Sequence, residues 1–411
     1  MEEGQGIITY SLMQADGIKK EKQMIGELCK KHESYMIEQR REFHMYPEIS
    51  LKEEQTSQRI KAQLSQMGIP YEELPPNHSL VATIQGGKEG GKVIGIRADI
   101  DALPMQEESD IPYKSKTDGV MHACGHDAHV AMLLGAAKVL MECREDLAGT
   151  VKLIFQSAEE IGLGYQEILE YLERTGGIDQ VIGLHIWSTL PEGEILLIPG
   201  SVFAGGSVFH ITVKGQGGHG ARPDLIREPI KAACDMVLKL AAIPSNMYDV
   251  LDYSVVSIGK IESGTMGNIF PDTVAIDGTT RFFKPEGGDK LIEHIRRIGA
   301  GVGTAYDVEV ECEVSVSNPP VYNQPDLITH ARELVDGIEG LKVSPQQEPI
   351  CAGDNFSRIL QRYPGFYGVL GAENKEDGCS WPQHNAKFNI DESALRKGCE
   401  FIVSYVADYL R

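Results

Sequence analysis

The chain has 411 residues, 42% of them apolar and 24% charged, which excludes fibrous and disordered classes and leaves room for two domains. Its 60 acidic and 39 basic side chains give a formal charge of −21, which argues against nucleic acid or an anionic membrane as partner. An anionic ligand would need a local positive centre.

The first residues show no basic stretch followed by an apolar one, so no secretory signal is expected. No apolar run approaches the ~18 residues of a membrane span, and the expected compartment is the cytoplasm. None of the eight cysteines forms a Cys-x-x-Cys pair, so they read as reduced thiols, and only Cys124 lies among other candidate ligands.

Residues 18–45 lack glycine after Gly26 and space Ile25, Cys29, Met36 and Phe43 along one face, which predicts a helix ending near Pro47. From about residue 92, short β-type runs alternate with longer helical stretches, the pattern of an α/β domain. KVIGIRADID, TVKLIFQSAEE and QVIGLHIW are each a β-type run leading into polar, chemically capable residues. HVAMLLGAAKVL is apolar nearly all round and predicts a buried helix with Asp127 as its N-cap. Residues 207–315 read as β-α-β-β-α-β, the split ferredoxin-like motif. GSVFAGG (200–206) and the stretch 316–325 read as flanking linkers. Beyond them, PGFYGVLGA reads as a further core strand. ESALRKGCEFIVSYVADYL reads as a closing helix with Leu395, Cys399, Ile402 and Val406 facing inward. The expected architecture is an α/β domain in two parts, 1–206 and 316–411, with a smaller α+β domain inserted at 207–315.

The ends of the three β-type runs carry Asp99 and Asp101, Glu159 and Glu160, and His185. Ligands of open α/β sheets collect beyond the carboxyl ends of strands, so these groups are expected to converge. MHACGHDAHVAMLLGA (121–136) adds Cys124 and His126. Residues i and i+2 splay apart on a helix but share a side in an extended or turn backbone, which places this pair in the loop before the helix. A structural zinc finger would need Cys-x-x-Cys pairs, which are missing. A catalytic thiol pairing Cys124 with His122 or His126 leaves the carboxylates unexplained. A plain polar turn capped by Asp127 accounts for even less. A metal site built from Cys124, His126, a carboxylate from 159–160 and His185 uses every feature, with His122 and His129 read as structural. One glutamate of the pair would bind metal and the other act as general base, and spacing leaves open which does which.

These residues resemble the dinuclear-metal N-acyl-amino-acid amidohydrolases, a family that includes aminoacylase-like enzymes, hippurate hydrolases and plant hydrolases of indole-acetyl amino acids. The matching stretches run in family order. They are FHMYPEIS (43–50), GIRADIDALPM (95–105), MHACGHDAHVAMLLGAA (121–137), FQSAEE (155–160), GLHIW (183–187), GQGGHGARPD (215–224), GTMGNIFPDTV (264–274) and HNAKFNIDE (384–392).

The resemblance implies a mixed-sheet α/β catalytic domain carrying an inserted ferredoxin-like α+β dimerisation (lid) domain. It makes Cys124, His126, Glu160, His185 and His384 the ligands of two divalent ions, zinc or manganese first and cobalt or nickel within reach, with the Cys124 thiolate between them. It makes Glu159 the general base for a bridging water, and Asp101 an orienting group. His219 would reach a partner subunit's site and stabilise the oxyanion. Asn268 would contact the amino-acid portion of the substrate, and Arg281 is a candidate partner for its carboxylate. The implied activity is metal-dependent hydrolysis of N-acyl amino acids by a homodimer without nucleic-acid or membrane partners. The alternatives are dipeptidase or aminopeptidase-like chemistry at the same site, or a non-catalytic binding protein of this fold. The chain departs from the family's pattern in IGLGYQE after the glutamate pair, in GDNFSRIL (353–360), and in the alanine of HNAKF.

Overall fold

The computed structural model describes residues 20–246, 249 and 252–411. Helices α1 (20–31) and α2 (Glu33–Met45) occupy the stretch expected to be one helix. The chain bends at His32 (φ −98°, ψ 5°), although the Met36 N–H still donates to the His32 carbonyl. The bend lets both parts keep Ile25, Cys29, Met36 and Phe43 buried. There follow α3 (Glu54–Gln66), β1 (Tyr71–Leu74), β2 (Ser79–Gln85), β3 (Lys88–Asp99), α4 (His126–Cys143), β4 (Ala148–Gln156), α5 (Tyr165–Arg174), β5 (Gln180–Pro191) and β6 (Glu194–Leu196).

Helix α4 is buried along nearly its whole length, as its all-round apolar sequence requires, but its start differs from expectation. The cap position is Gly125 in the left-handed region (φ 97°), and His126 belongs to the helix rather than to the preceding loop. A Cβ at position 125 would lie 2.3 Å from Ile186 Cγ2, so only glycine allows the chain to turn this tightly against β5. Asp127 therefore falls inside the first turn and caps nothing. Its carboxylate accepts hydrogen bonds from Arg40 Nε (3.1 Å) and His44 Nδ1 (2.9 Å) of α2. The buried Arg40 guanidinium also donates to Glu392 and Asn389, each at 2.9 Å. One cation thus joins α2, the start of α4 and the segment leading to the last helix.

The middle of the chain forms β7 (Gly205–Lys214), α6 (Pro229–Ala241), β8 (Ser254–Ser263), β9 (Thr273–Phe282), α7 (Gly287–Tyr306) and β10 (Glu309–Asn318). The strands pair antiparallel in the order β8-β9-β7-β10, in the β-α-β-β-α-β succession. Ile211, Val213, Met236, Leu240, Ile276, Leu291 and Ile295 form a separate core beneath them. The stretches expected as linkers are extended: Gly200–Phe203 and Val321–Asn323 pair as a two-stranded ribbon, with Val202, Phe203 and Val321 buried. Glycines in the first stretch and prolines and asparagines in the second suggest loops, but the apolar β-formers among them decide the outcome.

The chain then adds α8 (Pro325–Val335), β11 (Lys342–Val343), β12 (Gly365–Glu373) and α9 (Ser393–Tyr409). The large sheet has the order β1-β2-β4-β3-β5-β12-β6-β11. Strands β4, β3, β5 and β12 run parallel, while β2 joins β4 and β6 joins β12 antiparallel, so the sheet is mixed. Residues Leu395, Cys399, Ile402 and Val406 of α9 are buried in the same core as α2 and α4. Two compact units result. Of the described residues, one holds those from 20 to Gly200 with Asn323–Glu348 and Ile359–Arg411, the other those within Ser201–Tyr322 with Pro349–Arg358. Among the described residues no helix is long and apolar enough to cross a membrane.

Two substitutions test these constraints. Arg40→Leu leaves the buried Asp127 carboxylate without its guanidinium partner, and is expected to lower unfolding free energy by about 3–5 kcal/mol in urea titrations. Gly125→Ala adds a clash to a left-handed backbone and is expected to cost about 2–4 kcal/mol in the same measurement.

Candidate active site

The register of the parallel strands sets the level of the site. Asp99 pairs with Gln156 across β3–β4, Arg97 with Gly183 across β3–β5, and His185 with Val369 across β5–β12. Pairing of β5 with β3 stops at Gly183, so His185 lies just past that edge even though β5 itself runs on to Pro191, further than its sequence suggested.

The ligating atoms of Cys124, His126 and His185 all lie within 4.8 Å of one another, as do those of Cys124, Glu160 and His384, and of His126, Glu159 and Glu160. Cys124 Sγ is 3.6 Å from His185 Nε2. His384 Nε2 is 3.5 Å, and His126 Nε2 3.9 Å, from Glu160 Oε1, an oxygen that is buried without a hydrogen-bond partner.

The histidine rings are oriented by their outer nitrogens. His185 Nδ1 donates to the Ile186 carbonyl (2.7 Å), which turns Nε2 toward Cys124. His126 Nδ1 donates to the Asp101 carbonyl (2.9 Å) and to its Oδ1 (3.2 Å), which turns Nε2 inward. His129 differs: Nδ1 bonds Asp99 and Nε2 accepts the Ile186 N–H (2.9 Å). Both of its nitrogens are committed, so it cannot ligate a cation although Asp99, His126 and His129 are close together.

Asp101 faces away from the donor cluster. Its Oδ2 accepts the Ser50 hydroxyl (2.7 Å) and the Glu160 N–H (3.0 Å), while Oδ1 holds His126. Glu159 and Glu160 lie on a short 3-10 turn entered through Ala158, a left-handed non-glycine residue (φ 56°). The Ala158 N–H donates to Glu53 Oε1 (2.7 Å), and the Ser157 N–H to Ser79 Oγ (3.0 Å). Gly164 closes this loop with φ 83°, and a Cβ there would fall 1.8 Å from the Ser157 carbonyl oxygen. The departure in IGLGYQE therefore keeps a glycine where the backbone demands one. His384 is also left-handed (φ 62°), fixed by its N–H on the Ala123 carbonyl (2.7 Å).

Burial works against ionising Asp99, but Arg97 at 2.6 Å, with His126 and His129, holds its carboxyl well below the ordinary range. Asp101 is likewise lowered against burial, by His126 and Ser50. Burial and the neighbouring Glu160 push the Cys124 thiol well up. Burial and His129 hold His185 well below its ordinary value, as a neutral imidazole. Against burial, Asp99, Cys124 and Asp101 hold His126 well above its ordinary value, so the anionic groups of the cluster draw positive charge to themselves.

His219, Asn268 and Arg281 belong to the second unit. His219 and Asn268 are neighbours there: Gly218–His219 pairs with Ile269–Phe270, and the Gly220 N–H bonds the Asn268 carbonyl (2.9 Å). His219 is exposed, and its Nδ1 accepts the Ala221 N–H (3.1 Å). Arg281 is half-buried on β9, with Nη1 on the Thr280 carbonyl (2.8 Å). Asp354, in the divergent GDNF stretch, caps the short helix after it through the Phe356 N–H (2.7 Å). Sequence reasoning assigned no role to Ser50, Glu53 or Ser79. The FHMYPEIS stretch containing Ser50 was the signal available.

The profile of peptidase family M20/M25/M40 matches residues 95–408. A thermostable carboxypeptidase of Saccharolobus solfataricus is 37% identical over 373 residues, spanning 89% of this chain and 93% of that protein. An N-acetylcysteine deacetylase of Bacillus subtilis is 35% identical over 366 residues, 89% of this chain and 94% of that protein. The crystal structure of a Bacillus subtilis dinuclear metal-binding peptidase of the M20 family superposes with a TM-score of 0.81 at 32% identity, covering 93% of this chain and 99% of that one. The chain belongs to peptidase family M20/M25/M40 and is a metal-dependent amidohydrolase of that family.

Proposed function

We propose that the enzyme hydrolyses N-acyl amino acids to a carboxylic acid and a free amino acid, at two divalent cations held by Cys124, His126, Glu160, His185 and His384. The observation that carries this reading is that Cys124 belongs to two donor groups at once, one with His126 and His185 and one with Glu160 and His384. A thiolate can serve both. The unpartnered, buried Glu160 Oε1 and the inward Nε2 atoms of His126 and His185 fit the same reading. Thiolate, imidazole and carboxylate donors suit zinc or manganese, with cobalt and nickel also within reach.

Bound cations would polarise the amide carbonyl, lower the pKa of a water at the site, and supply the positive centre that a chain of charge −21 otherwise lacks. The Glu159 carboxylate lies beside the His126 and Glu160 donors, so it can take the proton of the attacking water and return it to the leaving nitrogen. Asp101 keeps His126 and the glutamate turn aimed. In a homodimer, His219 would stabilise the oxyanion in its partner's site, with Asn268 beside it contacting the amino-acid portion and Arg281 the candidate for its carboxylate. The likeness to an N-acetylcysteine deacetylase supports an N-acyl amino acid as substrate. The likeness to a carboxypeptidase favours a second reading, hydrolysis of a terminal peptide bond. Parallel assays with N-acetyl, N-benzoyl and N-indoleacetyl amino acids and with free-amine dipeptides separate the two.

Glu159→Gln should lower kcat by about 10²–10⁴-fold with metal content unchanged, as read by metal analysis of the purified variant. Retained turnover would remove Glu159 as the base. Chelation should abolish activity and added zinc or manganese restore it, whereas a thiol nucleophile would tolerate chelators and succumb to alkylation. His219→Ala should lose turnover but keep its metal, and mixing it with Glu159→Gln should recover part of the activity through mixed dimers.

A further inference from the structure

We propose that Glu53 is a positioning residue for the Glu159–Glu160 pair, its carboxyl holding the turn at Ala158 from which both side chains depart. This rests on the roles proposed above for those two glutamates.

Glu53 immediately precedes α3 and is fully buried. Its Oε1 accepts the Ala158 N–H at 2.7 Å, while Oε2 is buried with no hydrogen-bond partner. Beyond the local Leu51 and Glu53 peptide groups, this buried carboxyl's long-range bond is to the Ala158 N–H, a poor device for stability alone. The conformation of Ala158 supplies the reason. Its φ of 56° is disfavoured for any residue with a Cβ, and an alanine left there needs its backbone groups held. The Leu163 N–H holds the Ala158 carbonyl at 2.9 Å, and Glu53 holds the N–H. Ser79 and Asp101 grip the flanking Ser157 and Glu160 amides. Glu53 is the side chain that grips the left-handed residue itself. If that grip is lost, Ala158 relaxes toward ordinary φ and swings Glu159 and Glu160 together.

The segment bearing Glu53 is itself anchored. The Glu48 carboxylate accepts the N–H groups of Gln55 (3.2 Å) and Thr56 (2.7 Å) and the Thr56 hydroxyl (2.8 Å), and the Ala102 N–H bonds the Glu48 carbonyl (2.9 Å). Residues 48–56 thus reach the glutamate turn twice, through Ser50 on Asp101 and through Glu53 on Ala158. Burial pushes the Glu53 carboxyl up to about 7, so a neutral acceptor serves in its place and glutamine is its close substitute.

The test compares the full-length protein with Glu53→Ala, Glu53→Gln and Glu53→Ala/Ala158→Gly. Zinc affinity is read by competition with a chromogenic chelator, and kcat and KM with an N-acetyl amino acid. Glu53→Ala should weaken zinc binding about 10–100-fold and lower kcat with little change in KM. Glu53→Gln should stay within about threefold of the parent on both, because its amide oxygen still accepts the Ala158 N–H. Adding Ala158→Gly should recover zinc affinity, since glycine adopts the left-handed conformation unaided. Unchanged zinc affinity and kcat in Glu53→Ala would overturn the proposal. So would a tenfold loss in folded Glu53→Gln, which keeps the test decisive if the alanine variant does not fold. If the parent binds none of zinc, manganese, cobalt and nickel, the proposed function falls and this inference with it. If the parent binds and turns over while Glu53→Ala matches it, this inference alone falls.

Discussion

The carboxylate of Asp101 is buried, ionised and surrounded by donors from three segments: the Ser50 hydroxyl, the His126 imidazole and the Glu160 peptide N–H. A carboxylate in such a place is tolerable only when its oxygens are satisfied, so the three segments are obliged to meet around it. The first residue of α4 and the turn after β4 are thereby set relative to the end of β3. Asp99, two residues earlier, is consumed differently, by Arg97 and His129, and His129 passes the constraint to β5 through the Ile186 N–H. Two aspartates at adjacent same-side positions of one strand end thus fix the geometry of α4 and β5 without either contributing to the shared donor groups of Cys124.

The same hydrogen bonds decide which atoms face the cluster. An imidazole offers one lone pair when neutral, and its outer partner chooses which nitrogen keeps the proton. The Ile186 carbonyl does this for His185 and Asp101 for His126. His129 has partners on both sides, which explains how three histidines in close ring contact have different fates. Thiol, imidazole and carboxylate crowd together where Arg97 is already paired with Asp99, and the acidic groups pull His126 well above its ordinary value, so the site draws positive charge to itself.

Much of this was legible in the sequence because it is local. Three β-type runs ending in Asp99 and Asp101, Glu159 and Glu160, and near His185 lie on neighbouring strands β3, β4 and β5, and the i, i+2 spacing of Cys124 and His126 brings both to one place. What was misread depends on contacts far along the chain. Asp127 has the chemistry of an N-cap, yet Gly125 starts the helix because Ile186 on β5 leaves no room for a side chain. His384 is named only through the family resemblance, because spacing alone gives it no signal: a left-handed backbone and the Ala123 carbonyl bring it to Glu160. Ser50 and Glu53 were invisible as working parts because they act on side chains and amides about a hundred or fewer residues away, which spacing cannot report. The glycine-rich 200–206 stretch was read by composition alone, whereas Val202 and Phe203 decide that it is extended.

Among the described residues four non-glycine positions are left-handed: Leu51, Ala158, Asp307 and His384. Three of them belong to segments that build the site, since Leu51 lies between Ser50 and Glu53. Such residues persist only where the surroundings over-determine the backbone, and here the determinants are visible: Glu53 for Ala158 and the Ala123 carbonyl for His384. Ala158 sits next to a donor of the cluster, and His384 is itself one. An ordinary backbone at 158 or 384 would carry Glu160 and His384 in other directions, and their 3.5 Å approach would be lost. The strain is therefore part of how a chain with widely separated donors brings them to one point, and it explains why so many of the surrounding side chains bond to peptide groups rather than to one another.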